Sequence, residues 1–367
     1  MSKIRLSGTV LGPEDPNRAT RARLLYLLFA AGWDIYNSNG DQRITLSNIE
    51  KKIIESDAFV FTPGATLEDM FKAISIFVGF QTLDSNLAGK PTIILNEDSS
   101  WDPFFAVLAH LKKLGTVLQD YEDFLLTAPS PESVLETLAL ARSRGIPDAG
   151  RHKIEESTDT ILETPIPTDY IGNACVFCSA SLEDPAYLAD GEAIGRILAE
   201  NKIGCISGAG RSGIMGAVVK GCVDAGGWAG GSNVPHIIQL EGLPDGLSSF
   251  WLRPDIYTRM EVMIENSDAF IIFPGGAGTV QELLALMIFK HQRHPLMVGK
   301  PVVIFNRMTG EGLRFWDPII ALLGKMCRGE DFAVADNLED ILPAIQPGMK
   351  KLLAQGGRVV SEQELAV

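Results

Sequence analysis

Pro274-Gly275-Gly276-Ala277-Gly278-Thr279-Val280-Gln281-Glu282 is the stretch whose reading decides the fold. The apolar run before it, Ala269-Phe270-Ile271-Ile272-Phe273, has the character of a strand buried on both faces. Leu283-Leu284-Ala285-Leu286-Met287-Ile288 follows and reads as helix. Small residues between strand and helix let the backbone approach a ligand closely, and they leave several N–H groups at a helix N-terminus, where an anion is favoured. Thr279 adds a hydroxyl donor, and Glu282 is expected in the first helical turn with its carboxylate near the same spot. A tight turn with Glu282 as a helix N-terminal charge would account for part of this pattern. It would not require three glycines, then Thr, then Glu. Gly275, Gly276, Gly278 and Thr279 are therefore candidates for holding a phosphate, and Glu282 for the chemistry beside it.

Upstream, Ser207-Gly208-Ala209-Gly210-Arg211-Ser212-Gly213-Ile214-Met215-Gly216 also joins an apolar strand to a helix. It contains G-x-G-x-x-G, which alone is a weak dinucleotide signal. It follows the second strand of its domain rather than the first, and no Asp or Glu lies between Gly226 and Ile238 to hold a ribose. A second anion-cradling loop, with Gly208, Gly210, Ser212 and Gly213 as its candidates, fits better than an NAD site. Between the two loops, Thr258-Arg259-Met260-Glu261-Val262-Met263 places Met260, Met263 and Ile264 on one helical face and leaves Arg259 free to point elsewhere. Arg259 is either a surface residue beside Glu261 or a functional partner of Glu282.

The chain repeats itself. Ser56-Asp57-Ala58-Phe59-Val60-Phe61-Thr62-Pro63-Gly64 matches Ser267-Asp268-Ala269-Phe270-Ile271-Ile272-Phe273-Pro274-Gly275. Gly89-Lys90-Pro91 and Asn96 match Gly299-Lys300-Pro301 and Asn306; Trp101-Asp102-Pro103 matches Trp316-Asp317-Pro318. The offsets (268 − 57 = 211, 306 − 96 = 210, 317 − 102 = 215) are near-constant and imply a duplicated domain. The first copy is degenerate. It carries Pro63-Gly64-Ala65-Thr66-Leu67-Glu68-Asp69, with Asp69 where Glu282 is expected and Asn48 where Arg259 is expected. The expected division is a first domain at 1–142 (scaffold or regulatory), a linker at 143–172 rich in Gly, Pro, Asp, Glu and Thr, a catalytic domain at 173–346, and a tail at 347–367. In the second domain, strands at 175–178, 203–207, 269–273 and 302–306 alternate with helices, while 228–256 reads as loop-rich. The fold class is α/β, with parallel sheets covered by helices on both faces.

Bulk properties narrow the function. The 367 residues are 46% apolar and 21% charged, with no apolar stretch of membrane-spanning length and no signal-peptide core after Met1. A cytoplasmic protein is expected. The net charge of −14 argues against a nucleic-acid polymer or an anionic membrane as partner, though helix N-termini with Arg211, Arg253 and Arg259 could still hold a small anion. Cys175 and Cys178 form C-x-x-C inside a strand-like run, where a redox or metal pair is out of place, so buried thiols are expected and no metal.

Val176-Phe177-Cys178-Ser179-Ala180-Ser181, the Gly208–Gly216 loop, Arg259-Met260-Glu261-Val262-Met263 and the 274–282 stretch, in this order and spacing, resemble the Lonely Guy-type phosphoribohydrolases and the related nucleotide 5′-monophosphate nucleosidases, a family long labelled "lysine decarboxylase". The resemblance covers 173–346. It implies a Rossmann-like fold, which the duplication makes two tandem Rossmann-like domains, and hydrolysis of the N-glycosidic bond of a nucleoside 5′-monophosphate, with no cofactor. The products would be ribose 5-phosphate and a free base, from a purine nucleotide such as AMP or from a cytokinin riboside monophosphate. It also implies that Arg259 and Glu282 are catalytic and that the chain forms a dimer or larger assembly; the duplication offers an intramolecular pseudo-dimer instead. The sequence departs from the family at Met260, where Lys is common, at Gln281, where an acid is common, and at Cys178-Ser179-Ala180-Ser181, where the family has C-G-S-S. A non-catalytic nucleotide sensor or carrier is the alternative. The first domain could also bind an effector nucleotide at 62–66.

Overall fold

A computed structural model describes residues 3–7, 15–37, 46, 55–81, 90–117, 120–144 and 162–355. The chain divides into two compact units, Met1–Lys153 and Ile154–Val367. In the first, β1 (Lys3–Ser7), α1 (Arg18–Ala30), β2 (Asp34–Asn37), β3 (Ala58–Phe61), α2 (Leu67–Gln81), β4 (Thr92–Leu95), α3 (Asp102–Lys113), β5 (Leu125–Ala128) and α4 (Pro131–Arg144) succeed one another. The sheet is parallel throughout, in the order β2-β1-β3-β4-β5. β3 (Ala-Phe-Val-Phe) and β4 (Thr-Ile-Ile-Leu) are buried at every position, because helices cover both faces of a parallel sheet and alternation is lost.

The second unit contains β6 (Leu162–Glu163), β7 (Gly172–Phe177), α5 (Pro185–Glu200), β8 (Ile203–Ser207), α6 (Gly213–Asp224), β9 (Ala229–Asn233), α7 (Pro235–Glu241), β10 (Ser249–Leu252), α8 (Ile256–Glu265), β11 (Ala269–Ile272), α9 (Ala277–His291), β12 (Val302–Phe305), α10 (Asp317–Met326), β13 (Ala333–Ala335) and α11 (Ile341–Ala354). The strand order is β13-β12-β11-β7-β8-β9-β10-β6, parallel except for β6, which runs antiparallel to β10. From β7 the chain winds outward through β8, β9 and β10, then returns to the other side of β7 at β11. That reversal is the topological switch point of a doubly wound sheet, and ligands bind such sheets in the crevice beyond the carboxyl ends of the strands there. One face is closed by Ile194 and Leu198 of α5, Ile214 and Val218 of α6, and Ile341 and Ile345 of α11. Gly195 and Gly221 let α5 and α6 approach closely, since a Cβ on Gly195 would lie 2.1 Å from the Val218 carbonyl oxygen. α9 is buried along most of its length, from Ala277 to Phe289, as befits a helix beside the central strands.

The repeat is structural as well as sequential. In the first unit the Asn96 amide donates to Asp102 Oδ1 (2.6 Å), and the Trp101 N–H donates to Asn96 Oδ1 (3.1 Å). In the second, Asn306 and Trp316 make the same pair of bonds, at 2.8 and 2.7 Å. Taken from the opposite edge, the strands β8-β7-β11-β12-β13 repeat β2-β1-β3-β4-β5. The second unit has 61 residues between β8 and β11 (208–268), where the first has 20 between β2 and β3 (38–57). Asn48, the expected counterpart of Arg259, lies outside the described residues.

Three sequence expectations are corrected. The stretch 228–256, read as loop, carries β9, α7 and β10. β9 is Ala-Gly-Gly-Ser-Asn, which has neither alternation nor branched side chains. Its neighbours fill the space that its own side chains do not: a Cβ on Gly230 would meet the Trp228 ring at 2.6 Å, and one on Gly231 would meet Ala209 Cβ at 2.7 Å. The linker expected at 143–172 includes β6, whose Leu162 and Glu163 pair with Phe250 and Ser249. The boundary expected at 347 falls inside a helix, α11, which starts at Ile341, runs through Pro347 and buries Ile341, Ile345 and Met349 in the core. Among the described residues no helix is long and apolar enough to cross a membrane.

Candidate active site

Asp255 sets the geometry of α8. Its carboxylate accepts from the N–H groups of Tyr257 (2.9 Å) and Thr258 (2.8 Å) and from the Thr258 hydroxyl (2.9 Å), an N-cap that fixes the first turn. Arg259, four residues on, is thereby turned inward. Only 7% exposed, it donates from Nε to the Ser232 carbonyl (2.9 Å) and from Nη2 to the Gly208 carbonyl (3.2 Å). The surface reading of Arg259 is thus excluded. Both acceptors lie at carboxyl ends of strands, Ser232 near the end of β9 and Gly208 just after β8. A Cβ at Gly208 would lie 2.0 Å from Arg259 Nη2, so any side chain there would displace the guanidinium.

Glu282 lies opposite. The sequence places it in the first turn of its helix, but α9 begins at Ala277 with Gly276 as N-cap, so Glu282 is its sixth residue (282 − 276 = 6) and stands in the second turn. The reason is that Ala277, Gly278 and Thr279, read as loop, are already helical. Glu282 is 7% exposed, and its Oε1 is 4.0 Å from Arg259 Nη1. A carboxylate and a guanidinium removed from water are each costly alone, and each supplies the other's countercharge. The Glu282 charge reaches Cys175 on β7 as well: burial first, then that carboxylate, push the Cys175 thiol well above its ordinary value. Cys175 and Cys178 are buried free thiols, as their strand context predicts.

The two glycine loops differ. Among the described residues, nothing accepts from the N–H groups of Gly275, Gly276, Ala277, Gly278 or Thr279, the donors that a helix start leaves over. The Thr279 side chain folds back on Gly275, where a Cβ would meet its Oγ1 at 2.1 Å, whereas a Cβ on Gly278 would meet nothing within 4 Å. In the loop after β8, two amides are already engaged: Ala209 N–H donates to Ser207 Oγ (3.2 Å) and Gly210 N–H to Met215 Sδ (3.0 Å). Gly213 has φ +60°, and a Cβ on it would lie 2.6 Å from the Ala180 carbonyl, so a side chain is excluded. Ser212 is the N-cap of α6 without a capping bond from its hydroxyl. This loop supplies the Gly208 carbonyl that holds Arg259, and among the described residues nothing accepts from the N–H groups of its Arg211, Ser212 or Gly213 either. On its outer side a cavity of about 600 Å³ is lined by Arg211, Gly213, Gly216, Lys220 and Asp245 among others; neither Arg259 nor Glu282 lines it.

Ser179, just past β7, ties these pieces together. Its N–H donates to the Pro274 carbonyl (3.1 Å), its carbonyl accepts from Met215 N–H (3.1 Å), and its hydroxyl accepts from the N–H groups of Ser181 (3.0 Å) and Leu182 (3.1 Å). Sequence reasoning singled out neither the role of Ser179 nor those of Asp255 and the Ser232 carbonyl. Asp255 alone had a signal, as an acid immediately ahead of a helical run.

Residues 215–348 match the family model described as "Possible lysine decarboxylase". The chain is 30% identical over 176 residues to the cytokinin riboside 5′-monophosphate phosphoribohydrolase of Mycobacterium marinum, covering 47% of this chain and 92% of that protein. It is 30% identical over 207 residues to a probable cytokinin riboside 5′-monophosphate phosphoribohydrolase of Oryza sativa subsp. japonica, covering 54% and 86%. Among solved structures, a molybdenum cofactor binding protein from Rippkaea orientalis matches with a TM-score of 0.39 at 18% identity, over 49% of this chain and 98% of that one.

Proposed function

The chain belongs to the Lonely Guy-type phosphoribohydrolase family, and from that premise we propose that its second unit hydrolyses the N-glycosidic bond of a nucleoside 5′-monophosphate to free base and ribose 5-phosphate. The observation that carries the reading is the approach of Glu282 to Arg259, 4.0 Å apart, at the carboxyl ends of the central strands. Breaking a ribosyl C–N bond builds positive charge on the sugar and leaves an electron pair on the departing base. The amides at Gly275–Thr279 hold the 5′-phosphate. Glu282 faces the sugar, where its carboxylate stabilises the cation and takes a proton from the attacking water as that water bonds to C1′. The proton then passes to the electron pair on the departing base, which leaves as the neutral free base, and the carboxylate is regenerated. Arg259 is held at two of its nitrogens by carbonyls, so its third, Nη1, keeps a fixed direction toward Glu282 and the reacting centre. The base is a purine, either adenine itself or an N6-substituted adenine of the kind named for the relatives.

Incubation with AMP, GMP, IMP, CMP, UMP and N6-isopentenyl-AMP, followed by chromatography, tests the proposal. Free base and ribose 5-phosphate should appear in equal amounts from the adenine nucleotides and not from adenosine. Nucleotides that bind and are recovered intact would instead make the protein a carrier or sensor.

Gly278 provides a separate check on the phosphate assignment. Its substitution by Ala meets no protein atom and removes a helical glycine, so stability should hold or rise by up to about 0.5–1 kcal/mol. The added methyl stands beside the donors, and KM for the nucleotide should rise about tenfold, the equivalent of about 1.4 kcal/mol. Thermal unfolding and initial rates read the two effects independently. A variant with unchanged KM would remove the phosphate from this loop.

A further inference from the structure

The loop in the first unit that repeats the 274–279 cradle has its donors filled by the chain itself. Gly64 N–H donates to Asp98 Oδ2 (2.8 Å) and to Ser100 Oγ (2.9 Å), and Ala65 N–H donates to Ser100 Oγ (3.1 Å). The Asn17 amide reaches Asp98 Oδ2 from the other side (3.1 Å). Thr66 and Asp69 close the start of α2 reciprocally: Thr66 Oγ1 donates to Asp69 Oδ2 (2.7 Å), and Asp69 N–H donates to Thr66 Oγ1 (3.1 Å). Asp69 is the third residue of α2 (69 − 66 = 3), so it serves its own helix start and does not occupy the place of Glu282.

The turn that delivers Asp98 and Ser100 is specific. Ser99 holds φ +58°, a left-handed conformation that is unfavourable for a residue with a Cβ. Partial burial pushes the Asp98 carboxyl up, but hydrogen bonds from Ser100, Asn17 and Gly64 outweigh it and hold the group below the ordinary carboxylate value. The second unit replaces this turn. Four residues separate Asn96 from Trp101 (97–100), whereas nine separate Asn306 from Trp316 (307–315). The longer segment bonds to itself, with Thr309 N–H donating to the Leu313 carbonyl (2.7 Å) and Phe315 N–H to the Arg307 carbonyl (3.0 Å). Counted from Asn306 and back from Trp316, the positions that carry Asp98 and Ser100 in the first unit carry Met308 and Phe315 in the second, neither of which offers a side-chain oxygen.

We propose that Asp98 is a built-in substitute for a ligand phosphate: its carboxylate and the Ser100 hydroxyl occupy the first unit's repeat of the anion cradle, so the intact chain takes its phosphorylated ligand only in the second unit. The ligand class excluded from 64–66 is a phosphate monoester, and it becomes admissible once both side chains are removed.

The test titrates ribose 5-phosphate into the full chain by calorimetry and compares the wild type with an Asp98→Ala/Ser100→Ala variant. The wild type should take one equivalent per chain, and the variant one more than the wild type. Because the readout is the difference between the two proteins, it stands even if the second unit proves not to be a nucleosidase. Wild type with two equivalents, one of them lost on Gly64→Val substitution, would overturn the proposal. So would a double variant that retains the wild-type unfolding temperature but binds no extra equivalent. Should the double variant fail to fold, the wild-type stoichiometry still decides.

Discussion

Glu282→Gln lowers kcat for nucleotide hydrolysis by about 10²–10⁴, while nucleotide binding stays within a few-fold of the wild type. Glutamine keeps the shape of the side chain and one acceptor oxygen, and it leaves the amides at Gly275–Thr279 untouched. It removes the negative charge that would face a developing sugar cation and the group that would accept the proton of water. Both contributions belong to the transition state, so the loss falls on kcat rather than on KM. Arg259 then lacks its countercharge, but its bonds to Ser232 and Gly208 remain, and its 4.0 Å separation from Glu282 is longer than a hydrogen bond. The fold should therefore tolerate the change. Base release by chromatography gives kcat, and calorimetry on the slow variant gives affinity directly. A variant that turns over as fast as the wild type would take Glu282 out of the mechanism.

What could be read from the sequence follows the strength of local signals. The strands β3, β4, β11 and β12 announce themselves as short apolar runs, and the recurrence of Gly-Lys-Pro and Trp-Asp-Pro at a near-constant offset exposes the repeat. Arg259 and Glu282 are legible because they flank such a strand at fixed distances. The helical register at 277 is not legible, since Ala-Gly-Thr after two glycines carries no propensity that distinguishes loop from first turn. β9 is illegible for a different reason. Its glycines are chosen by the Trp228 ring and by Ala209, which packs on it from another loop, and the strand's contribution to the site is a main-chain carbonyl, at Ser232, that any residue could supply. The plug at Asp98 is hidden in the same way: Asp-Ser-Ser reads as a polar turn, and only the position of Gly64 in space shows whose amides it fills.

The Gly208 carbonyl raises the question of how much of the activity depends on a residue with no side chain. Gly208→Ala puts a methyl 2.0 Å from Arg259 Nη2 and 3.0 Å from Met215 Cε. Both are the far ends of flexible side chains, and Gly208 does not have a left-handed φ, so backbone and fold should survive with a modest change in unfolding temperature. The guanidinium must move, however, and a displacement of about 1 Å in a positioned catalytic group costs about 10² in rate. The expected result is a fall of about 10² in kcat/KM without loss of the folded state. A double-mutant cycle identifies the route. If Gly208 acts through Arg259, then adding Gly208→Ala to an Arg259→Ala protein should lower kcat/KM little further, because the group to be displaced is already gone. If instead the two losses multiply in full, the methyl obstructs something other than the arginine, and the pairing of Arg259 with the Gly208 carbonyl is packing without a part in the reaction.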